Sequence, residues 1–336
     1  MGHLRFGLAI LVLLSHAGWR FWGLNPGVTA VIVFYAISGY VMSALIEHHY
    51  AHTASTCRFY LDRFLRIYPQ YAAYAIVAAL WLFSVGHPTD FLHLQPQPID
   101  WINNLLIVPL NYFMINDSDR FTLVPPAWSL GAEVLFYALA PWLWRRWRVA
   151  LALALVSLLT QATAWHGHIH TDWWGYRLIP GVLWVFVLGM ALHRYQSTHP
   201  HRACYLAWLT PAGAILVWAY LAKHGLQTQP YHREVLVGIA LGIPLVHLLS
   251  RHTITGSGID QRLGDLSYGI FLNHFLLIWV LGLTQPQTQA QWILLISTSI
   301  ALSAMTQTLI EKPILAWRRR WRGAQNTKLP KNEQSY

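Results

Sequence analysis

The feature that most constrains this chain is the repetition of uncharged apolar runs, each close to the length of one lipid crossing. Runs at 5–22, 27–46, 67–86, 126–144, 149–165, 176–193, 203–222, 234–250, 266–284 and 290–310 are each long enough, as α-helix, to cross or nearly cross about 30 Å of hydrocarbon. Lipid offers no partner to a backbone N–H or C=O, so runs of this kind are helices that satisfy their own hydrogen bonds. Charged residues make up 11% of the chain, less than half the share of about 25% usual in soluble domains. The expected fold class is therefore all-α: a polytopic integral membrane protein of about ten transmembrane helices. Between the third and fourth runs, residues 87–125 contain several Pro and Asn. Their apolar piece, Trp101 to Ile115, is too short and too polar to cross, and the segment is expected to be re-entrant or interfacial.

Net charge is +10, but the cations cluster at the ends of apolar runs, as the positive-inside rule requires, so no nucleic-acid partner is expected. With the N-terminus cytoplasmic, 18 of the 23 Lys and Arg fall on the inner side and five on the outer. That asymmetry puts both termini in the cytoplasm. The first run lacks a small-residue cleavage site after His16 and is read as a retained span rather than a signal peptide. Residues 1–315 form the membrane domain, and 316–336 a basic cytoplasmic tail expected to be disordered on anionic headgroups. Cys57 and Cys204 are too few for a disulfide framework or a zinc site. His166, His168 and His170 lack a nearby carboxylate or Cys, so no metal is expected.

Ionisable groups inside spans are costly unless paired or hydrated, and they mark functional positions. Arg5 and His16 stand eleven residues apart in the first run, which sets them within about 20° of one helix face and about 16 Å apart along it. Counting from the outer surface, Glu133 in the fourth run and His16 both lie about 10 to 12 Å down. A carboxylate at that depth could orient His16 as a general base, or the two could form a purely structural link between helices; spacing leaves both readings open. Arg58, Arg63 and Arg66 gather at the inner end of the third run, suited either to a phosphate-bearing cytoplasmic ligand or to lipid headgroups. Asn273 and His274 in the ninth run are candidates for helix packing or for substrate contact. Trp128 is a candidate interfacial anchor or sugar-stacking ring. Ser15, Ser38 and Ser129 are the hydroxyls available for a covalent acyl intermediate, none in a diagnostic setting.

Six blocks in order resemble the membrane-bound acyltransferase 3 family, bacterial O-acyltransferases that modify surface and exported glycans. Arg5 and His16 match its Arg, ten residues, His motif; "VFYAISGYVMSALI" resembles its second span and "RFLRIYP" its RxxRIxP segment. "PAWSLGAEVLFY", "LGDLSYGIFLNHF" and "LIEKP" are similar to its WSLxxE, LGxxSYxIYLxH and E-x-P blocks. Gly131, Ala132 and Asn273 depart from the pattern. The resemblance implies a multi-pass protein of the bacterial inner membrane that moves an acyl group, acetyl foremost, from cytoplasmic acyl-CoA to a sugar hydroxyl of a glycan or lipid-linked saccharide. It marks Arg5 and His16 as essential and singles out Glu133, Arg66 and His274 within its motifs. Together with the residue readings above, the expected catalytic residues are His16, Glu133 and Arg5, the donor-binding residues Arg5, Arg63 and Arg66, and the acceptor contacts Trp128, Asn273 and His274. A glycan transporter without acyl transfer is the alternative, and it should show repeat symmetry and paired broken helices, which the sequence lacks. A non-catalytic scaffold would not need His16 and Glu133 at one depth.

Overall fold

The computed structural model describes residues 1–85, 87–93, 95–251 and 258–317. Twelve α-helices follow one another: α1 (Gly2–His16), α2 (Pro26–His49), α3 (Thr56–Val85), α4 (Pro98–Leu106), α5 (Phe113–Asn116), α6 (Ala127–Arg145), α7 (Trp147–Trp165), α8 (Ile179–Thr198), α9 (Pro200–Lys223), α10 (His232–Arg251), α11 (Gly258–Leu281) and α12 (Gln289–Thr306). Among the described residues β-structure is limited to isolated bridges. The expected tail falls, apart from residues 316 and 317, outside the described residues.

Eight helical stretches among the described residues are long and apolar enough to cross a membrane: those built on α2, α3 and α7 to α12. The other two expected spans correspond to α1 and α6. With 15 residues, α1 reaches about 22 Å, short of a full hydrocarbon thickness. α6 has 19 residues but carries Glu133 and Pro141 among its apolar side chains. Both pack against α2, whose side chains are buried on nearly all sides. A helix shielded by protein need not be uniformly apolar, and these two carry much of the polar chemistry described below.

α1 and α11 run parallel in close contact. At one end the His3 backbone N–H donates to the Asp260 carboxylate at 2.9 Å. A Cβ on Gly2 would stand 1.7 Å from the Asp260 carbonyl oxygen, and one on Gly264 would stand 3.0 Å from the Gly2 Cα. Small residues at this crossing let the backbones touch, as in membrane helix pairs generally. From that contact both helices advance fourteen residues, from Gly2 to His16 and from Asp260 to His274, and the equal rise brings the two histidines side by side.

The segment between α3 and α6 does not cross the bundle. It folds as short helical turns pinned by amide side chains. Asn104 Nδ2 donates to the Phe121 carbonyl at 2.8 Å, and its Oδ1 accepts from the Leu123 N–H at 2.9 Å. Asn111 Nδ2 donates to the carbonyls of Trp128 at 3.1 Å and Arg177 at 3.2 Å. Gly131 makes room for this packing, since a Cβ there would press on the Asn111 Cβ at 2.9 Å. Residues 121–127 are all buried, so α6 begins inside the protein rather than at a membrane surface.

Candidate active site

Two cavities lie along α1, and α1 contributes one ionisable residue to each. Arg5 lines the smaller, of about 100 Å³, with Arg66 of α3, Ser38 of α2, Glu133 and Tyr137 of α6 and Tyr268 of α11. His16 lines the larger, of about 300 Å³, with Asn25, Trp128, Arg177 and Tyr231. Three buried side chains, Val31, Ser129 and Phe271, line both cavities and form the wall between them.

In the larger cavity His16 is held by the neighbouring helix. Its Nδ1 lies 2.9 Å from His274 Nε2, and the ring planes differ by 6° with centroids 5.0 Å apart, the geometry of an in-plane bond between ring edges. His274 Nδ1 lies 3.1 Å from the Ile270 carbonyl. A carbonyl only accepts, so His274 Nδ1 carries its hydrogen, and in the neutral ring Nε2 holds the lone pair. His16 Nδ1–H then donates to His274, which assigns the lone pair of His16 to Nε2. The relay Ile270 carbonyl, His274, His16 fixes both orientation and tautomer, the function that a carboxylate performs in a Ser-His-Asp triad.

Arg177 terminates a π-helical turn, Trp173–Arg177, that precedes α8. Single π-helical turns recur at functional sites. Its guanidinium carbon sits 4.4 Å from the Trp128 ring centroid, 5.3 Å from that of Tyr176 and 5.1 Å from that of Phe113, and its Nε donates to Asp172 Oδ1 at 2.7 Å. The cation is fixed by aromatic faces and one carboxylate at the wall of the His16 cavity.

In the smaller cavity Glu133 Oε1 accepts from Ser38 Oγ and from Tyr137 OH, each at 2.5 Å. Arg66 forms an ion pair with the buried Glu311, and its guanidinium carbon lies 5.7 Å from the Tyr268 ring. Glu311 ends a second π-helical turn, Gln307–Glu311, after α12. The RFLRIYP and LIEKP blocks, more than 230 residues apart, thus meet through one ion pair.

An acyltransferase domain model matches residues 1–307. The chain belongs to the acyltransferase 3 family. Nodulation protein 10 of Rhizobium leguminosarum bv. viciae is 27% identical over 94% of this chain and 92% of its own length. Acyltransferase MdmB of Streptomyces mycarofaciens is 24% identical over 75% of this chain and 68% of its own. A protein of Aquifex aeolicus described as uncharacterized is 36% identical over 57% of this chain and 87% of its own. No solved structure matches. The protein is accordingly a multi-pass, all-helical membrane acyltransferase.

Within this acyltransferase 3 chain the expected site residues separate. Glu133 does not share a cavity with His16; it lies with Arg5 and Arg66, bonded to Ser38 and Tyr137. The depth count put it beside His16 because it assumed that the fourth run starts at the surface, whereas α6 starts from a buried loop. Arg63 does not line the Arg5 cavity. It pairs with the adjacent Asp62, and its guanidinium carbon lies 6.0 Å from the Tyr137 ring. Asn273 is fully buried and ties α11 to α12, donating to the Ser299 carbonyl at 2.9 Å and accepting from Ser299 Oγ at 2.6 Å, so it does not face an acceptor. His274 is fully buried as well and reaches the cavity only through His16. Trp128 lines the His16 cavity, with Arg177 over its ring. The sequence reading gave no individual role to Arg177 or Glu311, and it named Ser129 only as a candidate hydroxyl, without the septum that it forms with Val31 and Phe271. The Arg of "WGYRLIP" and the Glu of "LIEKP" are ionisable groups at the edges of apolar runs, and the Glu also falls in the block similar to E-x-P.

Proposed function

We propose that this protein transfers an acyl group, acetyl foremost, from acyl-CoA to a sugar hydroxyl of a glycan. The observation that carries this reading is the pair of cavities divided only by Val31, Ser129 and Phe271, with arginines in one and a tautomer-fixed histidine in the other. On the orientation given by the charge count, the Arg5 cavity faces the cytoplasm of a bacterial inner membrane and the His16 cavity the outer side. Arg5 and Arg66 bind phosphate oxygens of the donor through guanidinium hydrogen bonds, and the thioester extends to the septum. Glu133 offsets the charge of the two arginines and anchors Ser38 and Tyr137 on that path.

The acceptor hydroxyl lies in the larger cavity, whose combination of aromatic faces with a few fixed polar groups suits a sugar. His16 Nε2 takes the hydroxyl proton as the oxygen attacks the thioester carbon. The C–S bond then breaks, and the proton passes from the His16 imidazolium to the departing CoA thiolate, giving ester and free CoA. His274 acts as a positioning residue: its lone pair accepts the Nδ1–H of His16, a bond that strengthens when the ring becomes cationic. No metal has a part in this scheme.

The test is acyl transfer from labelled acetyl-CoA to the host's exported glycan by purified protein and by cells. His16→Ala should abolish labelling while leaving expression and thermal stability near wild type. Wild-type labelling by that variant overturns the assignment, and an absence of donor consumption by wild type with every glycan tested favours a transporter instead.

A further inference from the structure

Beyond the His16 cavity the outer end of the bundle holds two more cavities, and the three adjoin in a row. A polar cleft of about 460 Å³ shares Asn25 and Tyr231 with the His16 cavity. An apolar groove of about 410 Å³, between α9 and α10, shares Leu24 and Arg233 with the polar cleft. The groove is walled by Trp22, Ile215, Trp218 and Leu236. Trp22 is 88% exposed on the α1–α2 connection, the position of a headgroup-level anchor, so the groove opens toward the bilayer.

Two cations, Arg233 and Arg20, line the outer part of this row. Arg233 stands where groove meets cleft, its guanidinium carbon 5.3 Å from the Trp218 ring. Arg20 lines the cleft and uses one nitrogen, Nη1, on the carbonyls of Ser15 and Trp19. Among the described residues neither arginine pairs with a carboxylate; Glu234, which also lines the cleft, accepts the Asn25 backbone N–H at 3.0 Å. Gln227, on the same cleft, has a buried Oε1 without a hydrogen-bond partner. Tyr231, at the junction with the His16 cavity, holds a φ of 65°, a conformation costly for a bulky residue and found where surrounding structure imposes it.

From outside inward the order is an apolar groove open to lipid, two guanidiniums without a carboxylate partner among the described residues, a polar cleft with an unsatisfied acceptor, and the base. We infer that the acceptor is a saccharide carried on a lipid phosphate: tail in the α9–α10 groove, phosphate between Arg233 and Arg20, and sugar reaching through the cleft to His16. The inference rests on the acyl-transfer reading and specifies its acceptor. Guanidinium recognises phosphate by paired hydrogen bonds, and a tail held in the groove turns the search for a sugar hydroxyl into an almost intramolecular encounter.

The test measures binding of radiolabelled farnesyl phosphate to the full-length protein in phosphatidylcholine nanodiscs. Saturable binding is expected, weakened about tenfold or more by Arg233→Gln, restored toward wild type by Arg233→Lys, and abolished by Ala240→Trp, which fills the groove. Farnesol and inorganic phosphate, each carrying half of the recognised chemistry, should compete at least about tenfold more weakly. Absence of saturable binding, or binding indifferent to Arg233→Gln, overturns the inference. So does equal competition by phosphatidic acid, which would make the groove a site for ordinary bilayer lipid. His16→Ala separates the two readings, since it should stop acyl transfer and leave farnesyl phosphate binding intact. Transfer lost in His16→Ala without any farnesyl phosphate binding by wild type defeats the acceptor inference alone; binding without acyl-CoA consumption by wild type defeats the acyl-transfer reading.

Discussion

Replacing His274 tests the central geometric claim, because this residue touches the chemistry only through His16. With Leu at position 274 the Nδ1–H of His16 loses its acceptor in a buried site, and leaving such a donor unpaired costs about 1 to 3 kcal/mol. That cost falls on the tautomer with its lone pair on Nε2, the one the reaction uses, and reduces its share by a factor of about 5 to 150. The charge-assisted bond to the imidazolium is lost too, worth a further 1.5 to 3 kcal/mol or so. Together these predict a fall in kcat of about 10² to 10⁴ for His274→Leu, with the KM for acyl-CoA nearly unchanged because the proposed donor site, the Arg5 cavity, is not lined by His274. His274→Gln restores an acceptor oxygen and should recover at least about tenfold of the loss. The assay is single-turnover transfer from labelled acetyl-CoA, run beside a thermal-stability measurement so that misfolded variants are set aside. A well-folded His274→Leu protein with wild-type kcat would refute the relay, and Gln no better than Leu would refute its hydrogen-bond basis.

Two other substitutions probe the supports of the site. Glu311→Gln removes the buried partner of Arg66 and should destabilise the donor-free protein by about 3 kcal/mol, with CoA raising the melting temperature of the variant more than that of wild type, because the donor's phosphates replace the missing charge; equal shifts in a thermal-shift titration would count against Arg66 as a donor ligand. Gly264→Val places a side chain where a Cβ already meets the Gly2 Cα at 3.0 Å, so a loss of about 1 to 3 kcal/mol is expected with impaired transfer as α1 and α11 part, whereas Gly7→Ala, facing open space, should be neutral in the same melting and transfer assays.

The membrane class was legible from single residues and their spacing, because lipid imposes one rule on every run that crosses it: the backbone must satisfy itself, and apolar length must match hydrocarbon thickness. The Arg5 to His16 stripe was equally legible, since both lie on one helix and a helix fixes azimuth and rise. The family blocks followed from the same string of residues, and the family match over residues 1–307 spans all of them except LIEKP. The partner of His16 was not legible. Matched depth proposed Glu133, but depth counted along the chain holds only when a run starts at the surface, and α6 starts inside, behind buried residues 121–127.

What tertiary structure decided was which polar groups meet. His274 comes to His16 because Gly2 and Gly264 let α1 and α11 touch, after which an equal count of residues on two parallel helices sets the register. Arg66 finds Glu311 across more than 240 residues, Arg177 is swung by a π-helical turn onto the face of Trp128, and Asn273 is spent on joining α11 to α12. Sequence determines what each helix carries and on which face; contact between faces depends on small residues at crossings and on where each helix begins, and both are properties of pairs of helices rather than of any one of them.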